Sequence, residues 1–446
     1  MAKKQLTIEE KLEAALVPVE EQPYKVPENW CWVYLLAGYA ECLDKYRKPV
    51  NAKERAERIG EIPYYGATGQ VGWIDDYLTD EQLVLLGEDG APFLDLYKDK
   101  AYMIEGKAWV NNHAHILRSF WGRNGNELLV HYLNQFNFNG YVNGTTRLKL
   151  TQASMNVIPM VLPPRAEQSR IIARIESLFA KLDEAKEKIQ EVLDGADLRR
   201  AAILHQAFTG KLTEKWRKEN AVSDDSWEEN NLQNVCLTKI TDGTHKTPKY
   251  TTKEEGGVPF ISAKDVTKGE ICWDNIKYII PELHEELHAR LAPQRNDILL
   301  AKNGTTGVAA IVDTDEVFDL YVTLAVLRPN TDIINPRYLL RIVNSPICKR
   351  QFDERLKGIG VPNLHLRDIK EVVIKIPSVL EQQEIVRLLD NLLSREQSIV
   401  TACEEALTII DTLKKSILAR AFRGELGTND PTDPSAQELL REILSA

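Results

Sequence analysis

Two segments of this chain repeat each other at a constant offset of 214 residues. Residues 167–212 and 381–426 align without a gap, and both begin with a Glu-Gln pair and end with Ala-Phe-x-Gly. Solenoid units recur after about 20 to 50 residues, so a single recurrence at this distance indicates two copies of a whole module. We therefore expect the chain to fold into two related halves.

Each repeated segment carries an apolar stripe with the spacing of a coiled coil. Apolar residues recur at steps of three and four, as the a and d positions of a heptad do. Prolines precede each stripe and Gly210 and Gly424 follow it, which predicts the helix ends. Glu396 is the single polar residue within the second stripe. The predicted seam, our name for the two stripes together, consists of Ile171, Ile175, Leu178, Leu182, Ile189, Ile385, Leu389, Leu392, Ile399 and Ile410.

The nearest surface that can cover one stripe is the stripe of the other copy. Because the intervening residues 227–376 must return the chain to the start of the second helix, antiparallel pairing is the economical arrangement. About 38 residues at 1.5 Å each predict a rod of roughly 57 Å. In the alternative, each helix packs on its own domain, and this predicts a wider apolar face than these narrow stripes provide.

A chain of 446 residues fits two domains with connecting helices. Short β-branched runs between Gly, Asn and Asp residues, mixed with short helical patterns, predict mixed α/β domains. The predicted fold class is therefore α/β (mixed α+β), with two globular domains joined by two long helices in a pseudo-twofold antiparallel coiled coil. The predicted segments are an N-terminal segment 1–25, a first domain 26–162, a first helix 163–212, a polar linker 213–226, a second domain 227–376, a second helix 377–426 and a tail 427–446.

Composition restricts the location and the partners of the chain. No apolar run approaches the roughly 18 residues of a membrane span, and the N-terminus lacks the apolar core of a signal peptide, so we expect a cytoplasmic protein without a membrane partner. The six cysteines never stand at C-x-x-C spacing, which counts against a zinc ribbon or a redox pair. The net charge of −10 argues against a nucleic-acid partner unless basic residues cluster locally.

One string has the form of a metalloprotease motif. His284 to His288 reads H-E-x-x-H, in which two histidines hold zinc and the glutamate activates water. Leu291 and Gln294 occupy the positions where a metzincin has Gly and His, and no obvious third ligand follows. The sequence therefore predicts no metal, and a zinc peptidase is the less favoured alternative.

Other catalytic signatures are absent from the sequence. It has no phosphate-binding G-x-x-x-x-G-K-[ST] loop, and Asn344-Ser345-Pro346-Ile347 lacks the aromatic residue that would stack on an extruded adenine. We therefore predict no catalytic residues and a binding function.

Polar loops beside the predicted strands are the candidates for DNA contact. They concentrate Asn, Thr, His, Lys and Tyr, which suit phosphate and base-edge contacts, although a single loop of this kind is more often a solvated turn. The candidates in the first domain are Tyr64, Tyr65, Thr68, Gln70, Asn111, Asn112, His113, Thr145, Thr146 and Arg147. Those in the second domain are Thr244, His245, Lys246, Thr247, Lys249, Tyr250, Lys264, Lys302, Asn303, Thr305 and Thr306.

The repeated segments resemble the two conserved regions of the specificity subunit of type I restriction-modification enzymes. The resemblance rests on residues 162–171 with 207–212, on 376–385 with 421–426, and within the domains on 111–115, 242–245, 257–261 and 296–300. Two departures stand out, because Ser378 replaces a usual second proline and Asn296 replaces a common glycine.

This resemblance implies a non-catalytic DNA-specificity subunit. Each domain would be a target recognition domain that reads one half of an asymmetric, split site in double-stranded DNA. The helices would fix the distance between the halves and dock two methyltransferase subunits. Those partners would hold the S-adenosylmethionine, so no cofactor is expected in this chain, and a motor-nuclease subunit would join for restriction. A coiled-coil adaptor whose domains bind protein is the alternative from another class.

Overall fold

The structure is a computed structural model that describes residues 7–267, 269–356 and 363–445. It divides into a first unit, residues 1–189 with 404–446, and a second unit, residues 190–403. Both divisions fall within helices, at positions that the offset of 214 residues makes equivalent. The domain limits drawn from the sequence remain a prediction.

Short strands and helices are mixed along the chain, with runs of consecutive strands within each half. Up to residue 194 they are α1 Ile8–Ala15, β1 Cys31–Tyr34, β2 Ala40–Cys42, α2 Ala52–Glu57, β3 Ile62–Gly66, β4 Gly69–Ile74, β5 Thr79–Asp80, β6 Leu83–Gly87, β7 Ala101–Ile104, β8 Lys107–Val110, β9 Ala114–Ser119, α3 Gly122–Gln135, β10 Val142–Asn143, β11 Lys149–Leu150, α4 Gln152–Asn156, β12 Pro159–Leu162 and α5 Arg165–Asp194. From residue 196 they are α6 Ala196–Phe208, α7 Glu214–Glu219, β13 Glu228–Asn231, β14 Thr241–Asp242, β15 Tyr250–Thr251, β16 Val258–Ile261, β17 Lys277–Ile279, α8 Pro281–Arg290, β18 Ile298–Ala301, β19 Ala309–Ile311, β20 Asp319–Leu320, β21 Leu324–Leu327, α9 Pro336–Val343, α10 Pro346–Arg355, α11 Leu366–Lys370, β22 Val373–Ile376, α12 Val379–Ala421 and α13 Ala436–Ser445.

The first unit contains two four-stranded sheets of different character. One has the order β2-β9-β6-β7 and is antiparallel throughout. The other has the order β4-β3-β8-β5, and β3 and β8 run parallel within it. Every residue of β6 is buried, so this strand reads as a continuous apolar run rather than an alternating one. A separate antiparallel pair, β1 with β12, joins the start of the first predicted domain to its end.

The second unit repeats the antiparallel sheet and the three-stranded core of the mixed sheet, β17-β16-β20 corresponding to β4-β3-β8, but its fourth strand β15 pairs with β17 whereas β5 pairs with β8. Its antiparallel sheet has the order β14-β21-β18-β19, and its mixed sheet has the order β15-β17-β16-β20 with β16 and β20 parallel. The pair β13 with β22 corresponds to β1 with β12. The sequence prediction of two related mixed α/β modules with long helices is therefore confirmed. Among the described helices, none is long and apolar enough to cross a membrane.

The first long helix is not continuous, although the sequence predicts one helix across residues 163–212. It is divided at Gly195 into α5 and α6, whereas α12 runs unbroken through 43 residues. Glycine is a poor helix former, but a second reason is local. Without a Cβ at residue 195, Nη1 of Arg199 lies against the backbone; a Cβ would come within 2.7 Å of this atom, and the flexible guanidinium would have to move away.

In the first unit, α5 and α12 run antiparallel. Lys186 Nζ lies 3.5 Å from Asp411 Oδ1, and one turn away Lys414 pairs with Asp183. Residue numbers rise along one helix as they fall along the other, which is the direction that the sequence predicts.

In the second unit, α6 and α12 make the equivalent contact. Arg200 Nη2 donates to Gln397 Oε1 at 2.7 Å, and Leu204 and Leu393 line one cavity, which again indicates antiparallel packing. Arg200 and Gln397 occupy the positions equivalent to the Lys414 and Asp183 pair of the first unit. Each unit thus contains one copy of the same helix contact.

The predicted seam is buried at its ends and less so between them. The buried members are Ile171, Ile175, Ile385, Leu389 and Ile410, and the half-buried members are Leu178, Leu182, Ile189 and Leu392. Ile399 is 45% exposed, so its assignment to the seam was wrong. The buried residue in this stretch is Glu396, which accepts a hydrogen bond from Arg199 Nη2 at 2.7 Å, so an ion pair takes the place of apolar contact.

The repeated glutamine of each Glu-Gln pair closes the start of its helix. Gln168 Nε2 donates to the carbonyl oxygen of Pro163 at 3.1 Å, and Gln382 Nε2 donates to that of Pro377 at 2.8 Å. Both amides are buried, and both carbonyls belong to the strand-to-helix turn. The repetition of glutamine therefore has a structural cause.

The repeated glutamate of each pair anchors the entry to its domain. Glu167 accepts a hydrogen bond from the indole nitrogen of Trp30 at 2.6 Å, and Glu381 accepts one from that of Trp227 at 3.1 Å. Trp30 and Trp227 directly precede β1 and β13, the first strands of their domains. Because a buried carboxylate requires partners, this pair ties the helix to the domain in both units.

Residues 213–226, predicted as a polar linker, are partly structured. They contain α7, and the buried Arg217 of this helix donates to Glu381 Oε1 at 2.7 Å. The sequence did not predict this helix or its ion pair, because charge alone does not distinguish a solvated linker from one end of a buried ion pair.

Candidate nucleic-acid interface

A concave surface opens beside the mixed sheet of the second unit. Its volume is about 380 Å³, and we call it the second-domain groove. It lies between the mixed sheet and the loop that follows β18. The groove is lined by Tyr250, Phe260, Ser262, Ala263, Lys264, Lys277, Asn303, Gly304, Thr305, Tyr321 and Thr323.

The groove combines aromatic rings with positive charge. Lys277 Nζ lies 4.1 Å from the centroid of the Tyr250 ring, a cation–π contact. Lys264 Nζ lies 2.7 Å from Asp265 Oδ1, so this ammonium is already paired within the domain. Ammonium groups contact phosphates, and tyrosine and threonine hydroxyls contact phosphates and bases. The lining therefore offers ring, hydroxyl and ammonium groups of the kinds that contact nucleic acids.

Four of the candidates predicted from the sequence lie on this groove, and a hydrogen bond explains how their segments are held together. Tyr250, Lys264, Asn303 and Thr305 line it, and they come from three separate segments of the chain. Thr305 Oγ1 donates to the carbonyl oxygen of Ala263 at 3.4 Å, which holds the loop after β18 against the segment after β16.

Two candidates in the second domain are buried and bind other residues of the domain instead of facing the groove. Lys302 is buried and its Nζ lies 2.6 Å from Asp242 Oδ2, so its charge is neutralised within the domain. Thr244 is also buried, and its amide donates to the carbonyl oxygen of Leu320 at 2.9 Å. A Cβ on Gly243 would lie 2.0 Å from that same oxygen, which explains the glycine in this turn.

The remaining candidates of the second domain lie close to these elements. His245, Lys246, Thr247 and Lys249 are exposed in the segment that leads from β14 to β15, and Thr306 is half-buried. Lys246 Nζ lies 3.4 Å from Glu286 Oε1 of α8. The exposed segment ends at Tyr250, on the groove.

In the first unit, two predicted loops meet at one carboxylate. His113 Nδ1 lies 2.6 Å from Asp89 Oδ1, and Arg147 Nη2 donates to the same oxygen at 2.9 Å. The third loop joins them through the backbone, since the Asn111 amide donates to the carbonyl oxygen of Tyr65 at 3.1 Å. We call this group the first-domain loop cluster.

Candidates in the first domain differ in their exposure. Tyr64 and Asn111 are buried, and Asn111 Oδ1 accepts from the His113 amide at 2.8 Å, so both act within the domain. Tyr65 and His113 are half-buried, and the exposed candidates are Thr68, Gln70, Asn112, Thr145, Thr146 and Arg147.

Sequence reasoning missed basic residues beside both sites. Lys277 lines the second-domain groove, and in the first unit Arg47 and Lys149 both bind Glu88 next to the loop cluster. Burial disfavours the charged form of Glu88, but the hydrogen bonds from Lys149 and Arg47 outweigh burial and lower its pKa. None of the three lies in a motif, and only the fold brings them to these sites.

Comparison with known proteins identifies the family. The family model described as "Type I restriction modification DNA specificity domain" matches residues 40–194 and again residues 224–407. The chain therefore belongs to the type I restriction-modification DNA specificity family, with two copies of the family domain.

A relative and two solved structures agree with this assignment. The chain is 28% identical to the type I restriction enzyme EcoBI specificity subunit of Escherichia coli, over 66% of this chain and 64% of that protein. A structure titled for complex assembly and conformational transition of the type I R-M system matches with a TM-score of 0.63 and 19% identity, over 90% of this chain and all of that one. The HsdS subunit of Thermoanaerobacter tengcongensis matches with a TM-score of 0.58 and 18% identity, over 91% and 100% of the two chains.

These matches decide between the classes of protein that the sequence left open. The relative is named as a specificity subunit and not as a methyltransferase or a nuclease. The prediction of a non-catalytic specificity subunit is therefore confirmed, and the resemblance noted in the repeated segments is a true family relationship. At 18–19% identity the solved structures support the fold alone.

Proposed function

We propose that this chain is the DNA sequence-specificity subunit of a type I restriction-modification complex, and that each recognition domain reads one half of a bipartite site. The observation that carries the proposal is the duplication of the antiparallel sheet and of the three-stranded core of the mixed sheet, with a polar site beside each copy of that core. Two equivalent domains on one chain suit a target with two separate parts.

The second-domain groove and the first-domain loop cluster are the proposed DNA contacts. The exposed Lys277 supplies positive charge for phosphates, and the neighbouring Tyr250 and Asn303 supply ring and amide groups for bases. Arg147 and Lys149 are also exposed, but they pair with Asp89 and Glu88, so each would exchange a carboxylate for a phosphate on binding DNA. Both sites lie in a chain of net charge −10, so the positive charge is local rather than general.

The partners in this proposal are two methyltransferase subunits and a motor-nuclease subunit. S-adenosylmethionine would be held by the methyltransferase subunits. The long helices would dock those subunits and set the spacing of the half-sites, which for two sites on one face of DNA is about 34–36 Å. The family membership supports this assignment, as does the solved type I R-M complex that shares the fold.

Exchange of one recognition domain tests the modular part of the proposal. Replacing residues 26–160 with the corresponding domain of a family member should change one half of the methylated site and leave the other half as it was. The measurement is a genome-wide map of methylated adenines in cells that carry either protein with the same methyltransferase.

Two results would contradict the proposal. A change in both halves of the site would show that the domains do not read DNA independently. A coiled-coil adaptor would show no salt-dependent affinity for DNA even with the methyltransferase subunits bound, whereas phosphate contacts make affinity fall steeply with salt.

A further inference from the structure

Three side chains of the second unit form a cluster that the proposed function does not use. His284 and His288 project from one face of α8, and Asp319 lies on β20. His284 Nδ1 is 2.7 Å from Asp319 Oδ2, and His288 Nδ1 is 3.6 Å from Asp319 Oδ1. Because residues four apart on a helix are neighbours, both imidazoles face the same carboxylate.

Two atoms of this cluster are buried and lack a hydrogen-bond partner among the described residues. They are Asp319 Oδ1 and His288 Nδ1, and Asp319 is 1% exposed. The 3.6 Å between these atoms is too long for a hydrogen bond. An unpaired buried carboxylate oxygen is costly, so the pair of orphaned atoms points to a missing ligand.

We propose that His284, His288 and Asp319 bind a divalent transition-metal ion, with Zn²⁺ the best fit. Two imidazole nitrogens and one carboxylate form a common ligand set for zinc. Zinc–ligand bonds of about 2.0–2.1 Å in a tetrahedral site separate the ligand atoms by roughly 3.3 Å. The three ligand atoms lie within 4.8 Å of one another. The separations of 2.7 and 3.6 Å involve the two different oxygens of Asp319, so the side chains would rotate to bring one oxygen and both nitrogens to a single ion.

Sequence reasoning rejected a metal here because it sought a third ligand close to the two histidines. Asp319 is distant in sequence and reaches them only through the parallel pairing of β20 with β16. The ion would have a structural role rather than that of a peptidase, because Glu285 of the motif is exposed to solvent and the family is one of specificity subunits.

A second group with ligand-type side chains is less suited to a metal. It consists of Cys42, Asp44 and His115 in the first unit. Both ring nitrogens of His115 already face acceptors, Asp44 Oδ2 at 2.6 Å and the carbonyl oxygen of Leu150 at 3.0 Å. Both oxygens of Asp44 also have donors, Arg47 and the amide of Ile116, so this group contains no orphaned atom like those beside α8.

A metal at the proposed site would fix α8 against β20. This strand leads directly to Tyr321 and Thr323, which line the second-domain groove. Loss of the ion should therefore loosen one wall of the groove. The metal site itself does not depend on the proposed function, because the chain can hold the ion whatever ligand the groove binds.

Zinc titration of the untagged, chelator-treated full chain tests the inference by calorimetry and thermal unfolding. We expect one equivalent of Zn²⁺ to bind and to raise the unfolding temperature. His288→Ala and Asp319→Asn should each weaken the affinity by more than about tenfold, since loss of a ligand should exceed the 10- to 100-fold effects of losing a residue that only supports one. Co²⁺ in place of Zn²⁺ should give visible ligand-field bands that both variants lose.

His205→Ala is the matched control, because this exposed histidine of α6 also belongs to the second unit. It should bind zinc as the unsubstituted chain does. Circular dichroism without metal establishes that each variant is folded, and His288→Ala decides the test if Asp319→Asn does not fold. The proposal is overturned if the unsubstituted chain binds no stoichiometric zinc, or if His288→Ala binds it with unchanged affinity. In the first case the histidines only neutralise Asp319.

Discussion

Lys277 illustrates how the surroundings of a single lysine determine whether its charge is available to DNA. Its ammonium lies over the Tyr250 ring on the second-domain groove, and the side chain belongs to a strand whose register is fixed by pairing with β15 and β16. A charge held in this way is pre-oriented, whereas Lys302 in the neighbouring loop is already neutralised by Asp242.

Lys277→Ala should weaken DNA binding in a salt-dependent manner if the proposed function is correct. Loss of one phosphate contact should reduce the slope of log affinity against log salt by about 1. The measurement is a fluorescence-anisotropy titration of the complex with its methyltransferase subunits at several salt concentrations. Lys375→Ala is the control, since Lys375 is exposed on β22, pairs with Glu229 and does not line the groove. An equal slope for both variants would remove Lys277 from the interface.

Glu381 illustrates a residue whose repetition is structural. It is fully buried and accepts hydrogen bonds from Thr213, Arg217 and Trp227. Glu381→Leu should destabilise the second unit by about 3 kcal/mol, because removing one member of a buried ion pair leaves the other charge unpaired. Urea unfolding measures this loss.

Two further variants serve as controls for this prediction, one at an exposed ion pair and one that removes both charges of the buried pair. Glu384→Gln, three residues further along α12, should change stability by no more than about 0.5 kcal/mol, because Glu384 pairs with the exposed Arg387. Adding Arg217→Met to Glu381→Leu should recover part of the loss. If Glu381→Leu and Glu384→Gln are equally stable, the buried pair contributes nothing.

At the scale of elements, the two units contain the same helix contact at equivalent positions of the repeat. The contact of Lys414 with Asp183 in the first unit recurs as Arg200 with Gln397 in the second. The seam that the sequence predicts is nevertheless interrupted by the ion pair of the partly exposed Arg199 with the buried Glu396. In the other copy the equivalent positions are Leu413 and Leu182, so one copy of the contact is polar and the other apolar.

A seven-residue insertion into both helices tests their proposed role as a spacer. Insertions after Ile189 and after Cys403 fall at equivalent positions and preserve the heptad phase. Each lengthens its helix by about 10.5 Å, or roughly three base pairs at 3.4 Å each. The methylated half-sites should then be separated by about three more base pairs, which a map of methylated adenines measures.

The single insertions serve as controls for this experiment. An insertion in only one helix shifts its stripe against the partner and should reduce stability without giving a new, defined spacing. Should the double insertion methylate the original site with its original spacing, the helices do not set the distance between half-sites.

At the scale of the whole molecule, the sequence by itself determined the duplication, the two long helices, the direction of their pairing and the family. These follow from features that are local or periodic, namely apolar spacing, prolines, glycines and the repeated Glu-Gln pair. Such features can be recognised in the sequence without knowledge of which distant residues come into contact. Short strands such as Ile298–Ala301 follow the same rule, because an apolar run between turn residues indicates a strand.

Only the tertiary structure decided which polar residues are available to a ligand. Tyr64, Asn111, Thr244 and Lys302 have the same chemistry as their exposed neighbours, but packing buries them. Asp319 meets the two histidines, and Lys277 meets Tyr250, through strand pairing between segments that are distant in sequence. Exposure and proximity depend on these long-range pairings, and no periodic pattern in the chain encodes them.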